Sequence, residues 1–245
     1  MELAHVASSA LSAAMVCFPM LLASHPKTPL RVLGITTFEY LARLRGGSLG
    51  RRRRYAMALA CDYASLRDDY YDHESVNLTE FRSLRRQLRS VTMEPATLRY
   101  IQQLRRTERN RPALSSATDG LEEAATAYRT RVLDLTLQWL ASISNVDVDP
   151  VQRQSLLSVA CLLQLADDLL DFKEDQALQC PGYVTAFVLD RSSAEIAIAL
   201  RTQADAMLER TIAAARQDAT GVPFSAAGAL TWVFIIALLH LRFPR

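Results

Sequence analysis

The sequence has little of what marks several common protein classes. It has only eight glycines in 245 residues, and its four cysteines include no pair at the spacing of zinc or redox sites. The dinucleotide-binding glycine fingerprint, internal repeats, linkers and long strand-like alternation are all absent. A net charge of +2 does not favour a nucleic-acid partner. We therefore expect a cytoplasmic protein whose thiols are reduced and buried.

What is abundant is apolar and helix-forming. Half of the residues are hydrophobic, and alanine, leucine and arginine are frequent. Proline and glycine divide the chain into segments with the 3.6-residue apolar period of helices. These features predict an all-α fold, with a single domain of eight or nine helices over residues 1–245. The clearest predicted helices cover 51–72, 121–144, 151–178 and 193–217.

Two apolar stretches need separate interpretation. Residues 11–23 resemble the core of a signal peptide, but no Lys or Arg precedes them and Pro19 interrupts them, so a buried first helix is predicted. Residues 224–241 are uncharged over about the shortest length that spans a bilayer, and Arg242 follows. A membrane anchor is one interpretation of that stretch. A buried helix is favoured, because polar residues such as His240 dilute the stretch.

An unusual row of acids lies in the apolar segment "CLLQLADDLLDFKED", 161–175. At about 100° per residue, Asp167, Asp171 and Asp175 fall within a stripe of roughly 80° on one helix face. Asp168 borders that stripe. Carboxylates one helical turn apart repel one another, so the row requires cations.

A second acidic turn occurs about a hundred residues earlier, in "LRDDYYDHE", 66–74. It contains Asp68, Asp69 and Asp72, again with two acids one turn apart. Helical bundles build metal sites from side chains on facing helices. The aspartates of both rows offer only oxygen donors, and the nearest histidine, His73, lies outside them. The pattern therefore favours Mg²⁺ over zinc or a di-iron centre.

The two turns together resemble the class I isoprenoid synthase superfamily. The segment "RRRRYAMALACDYASLRDDYYD" is similar to the first aspartate motif of the squalene and phytoene synthase branch, and "QLADDLLDFKED" to its second motif. The layout is also similar to that of a small moenomycin-type prenyltransferase. The resemblance covers roughly 49–90 and 155–185. It implies a helical bundle of the isoprenoid synthase type with a central apolar cavity.

The resemblance also implies a site chemistry. More than one Mg²⁺ would bridge aspartates to the diphosphate of an allylic prenyl substrate, which ionises to a carbocation. The implied catalytic and metal-binding residues are Asp68, Asp69, Asp72, Asp167, Asp171 and Asp175, with Asp168 as a further ligand. The candidates for diphosphate binding are Arg67, Arg129, Arg131 and Lys173. The aromatic candidates for lining the cavity are Tyr63, Tyr70, Tyr71, Trp139 and Phe172.

Three functions remain open at this stage. The first is a terpene synthase, in which one prenyl diphosphate is ionised and the cation cyclises. The second is an intermolecular prenyltransferase that joins the cation to an acceptor. The third is a non-catalytic helical scaffold whose acids pair with arginines. Chain elongation is disfavoured because "HESVNLTEFRSLRR" follows Asp72, where elongating enzymes carry Arg-Arg-Gly. Head-to-head condensation is disfavoured because "QALQCPGYVTAF" follows the second acidic row, where those enzymes carry a motif with arginine and glycine.

Partners and location follow from the same chemistry. The expected partner is a prenyl diphosphate and not a nucleic acid. A homodimer and transient contact of 224–241 with a membrane both remain open, the latter because the substrate would be apolar. Substrate chain length and product depend on cavity side chains that the sequence does not place.

Overall fold

The computed structural model describes residues 3–21, 28–73, 78–91, 94–114, 120–188 and 191–243. Over these residues the chain is helical and contains no strand, which confirms the all-α prediction. The helices are α1 Leu3–Leu21, α2 Thr28–Leu44, α3 Arg51–His73, α4 Leu78–Val91, α5 Glu94–Arg109, α6 Leu121–Ser144, α7 Pro150–Ala177, α8 Thr185–Val188, α9 Ser193–Gln217 and α10 Val222–Arg242. The four helices predicted most clearly are α3, α6, α7 and α9.

The described chain divides into two compact units. Unit 1 comprises Met1–Leu104 and Leu135–Val148, and unit 2 comprises Arg105–Asp134 and Asp149–Arg245. The single domain over 1–245 stays a prediction.

Local sequence accounts for where the long helices of unit 2 begin. At α7, the side chain of Asp149 accepts a hydrogen bond from the Gln152 backbone N–H at 2.9 Å, and Pro150 occupies the first turn. At α9, Ser192 and Glu195 cap each other's backbone N–H groups. The Ser192 hydroxyl and backbone N–H also lower the pKa of the Glu195 carboxyl. These caps satisfy N–H groups that a helix start otherwise leaves unpaired.

Unit 1 contains α1 to α4, most of α5 and the last part of α6. Within it, α2 packs against α1 and α3, and α3 packs against α4. Its core includes Ile35, Phe38 and Met57, each almost fully buried. The predicted burial of the first helix is only half right. One face of α1 is buried, whereas Leu11 and Met15 on the other face are 65% and 69% exposed.

Unit 1 also buries an ion pair. The Arg31 guanidinium donates to both carboxylate oxygens of Asp62, with Nη2 at 2.6 Å from Oδ2. Asp62 is 7% exposed, and the bond to its carboxylate raises the pKa of Arg31. The pair links α2 to α3.

Replacing Arg31 with methionine is expected to lower the free energy of unfolding by about 2 kcal/mol, because Asp62 would stay buried without its cation. Urea unfolding measures the change. The double variant Arg31→Met with Asp62→Leu should recover most of the loss, since no buried charge remains. A single variant as stable as the parent would show that the pair contributes nothing.

The core of unit 2 lies between α7, α9 and α10, which pack against one another. Leu162, Leu165 and Leu200 are fully buried there. Gly228 lets α10 approach α9 closely, because a Cβ at that position would lie 3.2 Å from the Thr211 hydroxyl of α9. The helix is buried on this side only.

The cysteines agree with the predicted reduced, buried thiols. Cys61, Cys161 and Cys180 are buried and form no disulfide. Burial raises the pKa of the Cys61 thiol to about 12, and burial also raises that of Cys161. Thiols of this kind remain protonated and unreactive at neutral pH. The Cys17 side chain lies outside the described residues.

Candidate functional site

The second acidic row lies on α7, as predicted. Asp167, Asp171 and Asp175 recur every four residues along this helix. Asp167 and Asp171 are exposed and Asp175 is partly buried, while Leu165 and Leu169 on other faces are fully buried. Within the described residues, Asp167 and Asp171 form no hydrogen bond or ion pair.

The charges around Asp167 are unbalanced. Although more than a third of its surface is exposed, partial burial raises the pKa of its carboxyl, and the charges of Asp168 and Asp171 raise it further. The Arg129 guanidinium acts in the opposite direction but does not cancel them. A bound cation would relieve this repulsion, so the position suits a metal ligand.

Replacing Asp167 with asparagine should therefore stabilise the fold at neutral pH, by a few tenths of a kcal/mol after solvent screening. A raised pKa means that ionisation costs the folded chain stability. The gain of the variant should be present above the folded-state pKa and vanish below the ordinary value of 3.8, where both states are protonated.

Urea unfolding at neutral and acidic pH measures this difference. Glu209→Gln, at an exposed acid in the later part of α9, controls for the change in net charge. A gain for Asp167→Asn that is the same at both pH values would contradict the electrostatic explanation.

Asp168 has different surroundings from its neighbours in the row. It is 3% exposed, and its oxygens accept hydrogen bonds from Gln164 Nε2 at 2.8 Å and from the Tyr183 backbone N–H at 2.6 Å. The Gly182 backbone lies so close that an added Cβ would be 2.6 Å from Asp168 Oδ2. Asp168 thus joins α7 to the segment 180–184, which we call the α7–α8 loop.

Three further hydrogen bonds hold the α7–α8 loop. The Thr185 hydroxyl accepts from the Gly182 N–H and donates to the Cys180 carbonyl, both at 2.7 Å. The buried Tyr183 hydroxyl lies 3.2 Å from the Thr130 hydroxyl of α6. Burial raises the pKa of the Tyr183 phenol. The sequence pattern does not predict this anchoring role of Asp168; its one signal is the Pro-Gly turn shortly after the acidic row.

The arginines predicted on α6 lie on opposite sides of the helix. Two residues correspond to about 200° of rotation, so their side chains diverge. Arg129 is 4% exposed and its charge reaches Asp167. Arg131 is exposed and pairs with Asp134, which also accepts three hydrogen bonds from Arg153. Only Arg129 is therefore placed with the acidic row.

Lys173 is exposed on α7. The row it accompanies extends over two helical turns, or about 12 Å, so one ion cannot contact all three carboxylates. Within the described residues, no group of three His, Cys, Asp or Glu side chains is arranged to hold a metal ion.

The first acidic turn lies at the end of α3. The side chains of Asp68, Asp69, Tyr71 and Asp72 are outside the described residues. Arg67 beside them is 5% exposed, and its guanidinium lies 5.5 Å from the Tyr70 ring and 5.6 Å from the Phe81 ring. Tyr70 is 43% exposed. The helix is as predicted, and the role of Arg67 in diphosphate binding stays a prediction.

The aromatic candidates of unit 1 pack together. The Tyr63 and Trp139 rings meet edge to face at 6.0 Å, and Trp139 stacks on Tyr100 at 4.2 Å. Trp139 and Tyr100 also line an open pocket of about 220 Å³. In unit 2, Phe172 packs against Phe243 at 5.5 Å. These contacts give Tyr63, Trp139 and Phe172 packing roles within their own units.

The side chains on α7 and α6 suit binding of a cation and an anion side by side. Carboxylate oxygens that form no ion pair favour a hard metal ion, and the neighbouring Arg129 guanidinium favours phosphate. Comparisons of the chain with protein-family models, with curated proteins and with solved structures found no match.

Proposed function

We propose that the protein is a Mg²⁺-dependent class I isoprenoid enzyme that ionises an allylic prenyl diphosphate, acting as a terpene synthase. One observation carries the proposal. Asp167 and Asp171 lie exposed on one face of α7, without a hydrogen bond or ion pair in the described part of the chain, while the charge of the buried Arg129 reaches Asp167. A scaffold that used its acids for arginine pairing would neutralise both carboxylates directly.

The donor set suits Mg²⁺. All of its atoms are carboxylate oxygens, two of the acids are open to solvent, and the charges repel one another in the absence of a cation. Asp167, Asp171 and Asp175 would hold more than one Mg²⁺ ion along α7, since one ion cannot contact all three carboxylates. Asp68, Asp69 and Asp72 would bind Mg²⁺ in the same way on α3. When bound, Mg²⁺ would supply positive charge that neutralises the diphosphate leaving group.

The chain's own residues have distinct tasks in this proposal. The Arg129 guanidinium donates to diphosphate oxygens, and its burial strengthens that interaction. Asp168 keeps the α7–α8 loop against the acidic helix and so positions Asp167. Aromatic rings would face the carbocation within an isoprenoid synthase-type bundle with a central apolar cavity.

The test is incubation of the purified protein with C10, C15 and C20 prenyl diphosphates and Mg²⁺, without an acceptor. Diphosphate release and extracted products are measured with and without a chelator. A cyclic or volatile hydrocarbon formed from one substrate supports a terpene synthase. Prenol alone, or turnover only when acceptors are added, supports an intermolecular prenyltransferase. No metal-dependent diphosphate release under either condition would contradict both and favour the scaffold.

A further inference from the structure

The last helix has two apolar faces that differ in environment. Its outer face, as we call it, carries no charged residue and contains Val222, Ala226, Ala227, Leu230, Val233, Phe234, Ala237 and Leu241. These positions recur at helical spacing within one side of α10. Leu230 is 74% exposed and Leu241 is 77% exposed. His240, which lies on the same side near the end of the helix, is the polar exception and contacts the Ile236 carbonyl.

The inner face of α10 is held firmly in unit 2. Ile235 and Leu239 are buried in its core, and Gly228 packs closely against Thr211 of α9. The indole N–H of Trp232 donates to Asp205 Oδ1 of α9 at 2.6 Å. Leaving this position would expose the core and break that bond, so the helix presents its outer face while it stays packed.

We propose that the outer face of α10 binds the surface of a lipid bilayer, with the helix lying along the membrane plane rather than across it. The helix region Ala219–Arg242 has the length and hydropathy of a membrane-crossing segment, but the residues of its inner face are buried in the protein core. Only the outer face is available to lipid. A helix that exposes one apolar face inserts that face at the boundary between headgroups and acyl chains.

The size and shape of the outer face favour lipid over a second copy of the chain. Its exposed area is on the order of 600 Å², which is at the upper limit of what a soluble monomer leaves in one patch. A specific dimer buries about 800 Å² on each partner, with a polar rim around the apolar centre. The outer face is a convex ridge on a single helix and carries no charged residue.

A cation at the end of the helix agrees with this orientation. Arg242 is exposed, donates to the Leu170 carbonyl at 2.9 Å, and places its guanidinium 5.9 Å from the Phe172 ring. These contacts hold a positive charge at the end of α10, next to the exposed Leu170. An arginine at the edge of an inserted apolar face can reach lipid phosphates.

The test is flotation of the full chain with vesicles of phosphatidylcholine and phosphatidylglycerol, without substrate or Mg²⁺. The parent protein should float with the vesicles. Leu230→Glu should reduce the bound fraction by about tenfold or more, because it places a charge in the middle of the outer face. Ile198→Glu is the matched control: Ile198 is 67% exposed on α9 among polar residues. That variant should bind like the parent, and circular dichroism checks that both variants fold.

Three outcomes would overturn the proposal. In the first, the parent does not float but sediments as a dimer that Leu230→Glu converts to a monomer. In the second, the Ile198 and Leu230 variants lose vesicle binding equally, or binding disappears in about 1 M salt, which would make it electrostatic. In the third, alkaline carbonate fails to extract the bound protein, which would indicate a spanning helix. Because no substrate is present, the result is independent of the proposed enzymatic function.

Discussion

Replacing Asp171 with alanine should reduce diphosphate release from an allylic prenyl diphosphate by at least about 100-fold. The same substitution should leave the free energy of unfolding unchanged or raise it slightly. Asp171 is exposed and contributes no hydrogen bond or ion pair within the described chain, and its removal relieves repulsion with Asp167. Steady-state turnover and urea unfolding of the same preparation measure the two effects.

The control for Asp171→Ala is Glu209→Gln, which also removes one exposed negative charge in unit 2. It should retain both activity and stability. Asp68→Ala should behave like Asp171→Ala, because Asp68 on α3 would bind Mg²⁺ as Asp171 does on α7. If Asp68→Ala and Asp171→Ala both failed to fold, the acids would be structural and the scaffold would be the better interpretation.

Replacing Asp168 with alanine should have the largest effect on stability, lowering the free energy of unfolding by about 3 kcal/mol. The buried carboxylate accepts one bond from Gln164 Nε2 and one from the Tyr183 backbone N–H. Its loss would leave that backbone donor buried without a partner and would open a small cavity. Urea unfolding followed by circular dichroism measures the loss.

Gly182→Ala tests the same contact from the other side. A methyl group there would collide with Asp168 Oδ2, so this variant should also be destabilised, though less, because the carboxylate can shift. If Asp168→Ala abolished turnover without any loss of stability, Asp168 would instead act as a ligand, as the sequence resemblance implied.

The helices were the most predictable part of the fold. Long segments with helical period, ended by proline or glycine, are stabilised locally and by one apolar face, so α3, α6, α7 and α9 could be read from the chain. The shared face of Asp167, Asp171 and Asp175 followed from helical geometry alone.

Contacts between distant residues could not be predicted in this way. Asp168 and Tyr183 are 15 residues apart, and the hydrogen bond between them forms only when the chain folds. Nothing in the sequence distinguishes Asp168 from the adjacent Asp167 in this respect. Arg31 and Asp62 are 31 residues apart and carry no sequence signal of their pairing. The exposure of the outer face of α10 also depends on which helices pack beside it, and a hydropathy pattern without charges does not distinguish a buried face from an exposed one.

The ultraviolet absorbance of the Tyr183 phenol can report when the α7–α8 loop opens. Its raised pKa keeps the ring protonated while the α7–α8 loop is closed, so tyrosinate absorbance from this ring in alkali would appear only as fast as the loop opens. A stopped-flow jump to high pH would therefore measure the opening rate of the α7–α8 loop, which Asp168 restrains, in the intact protein.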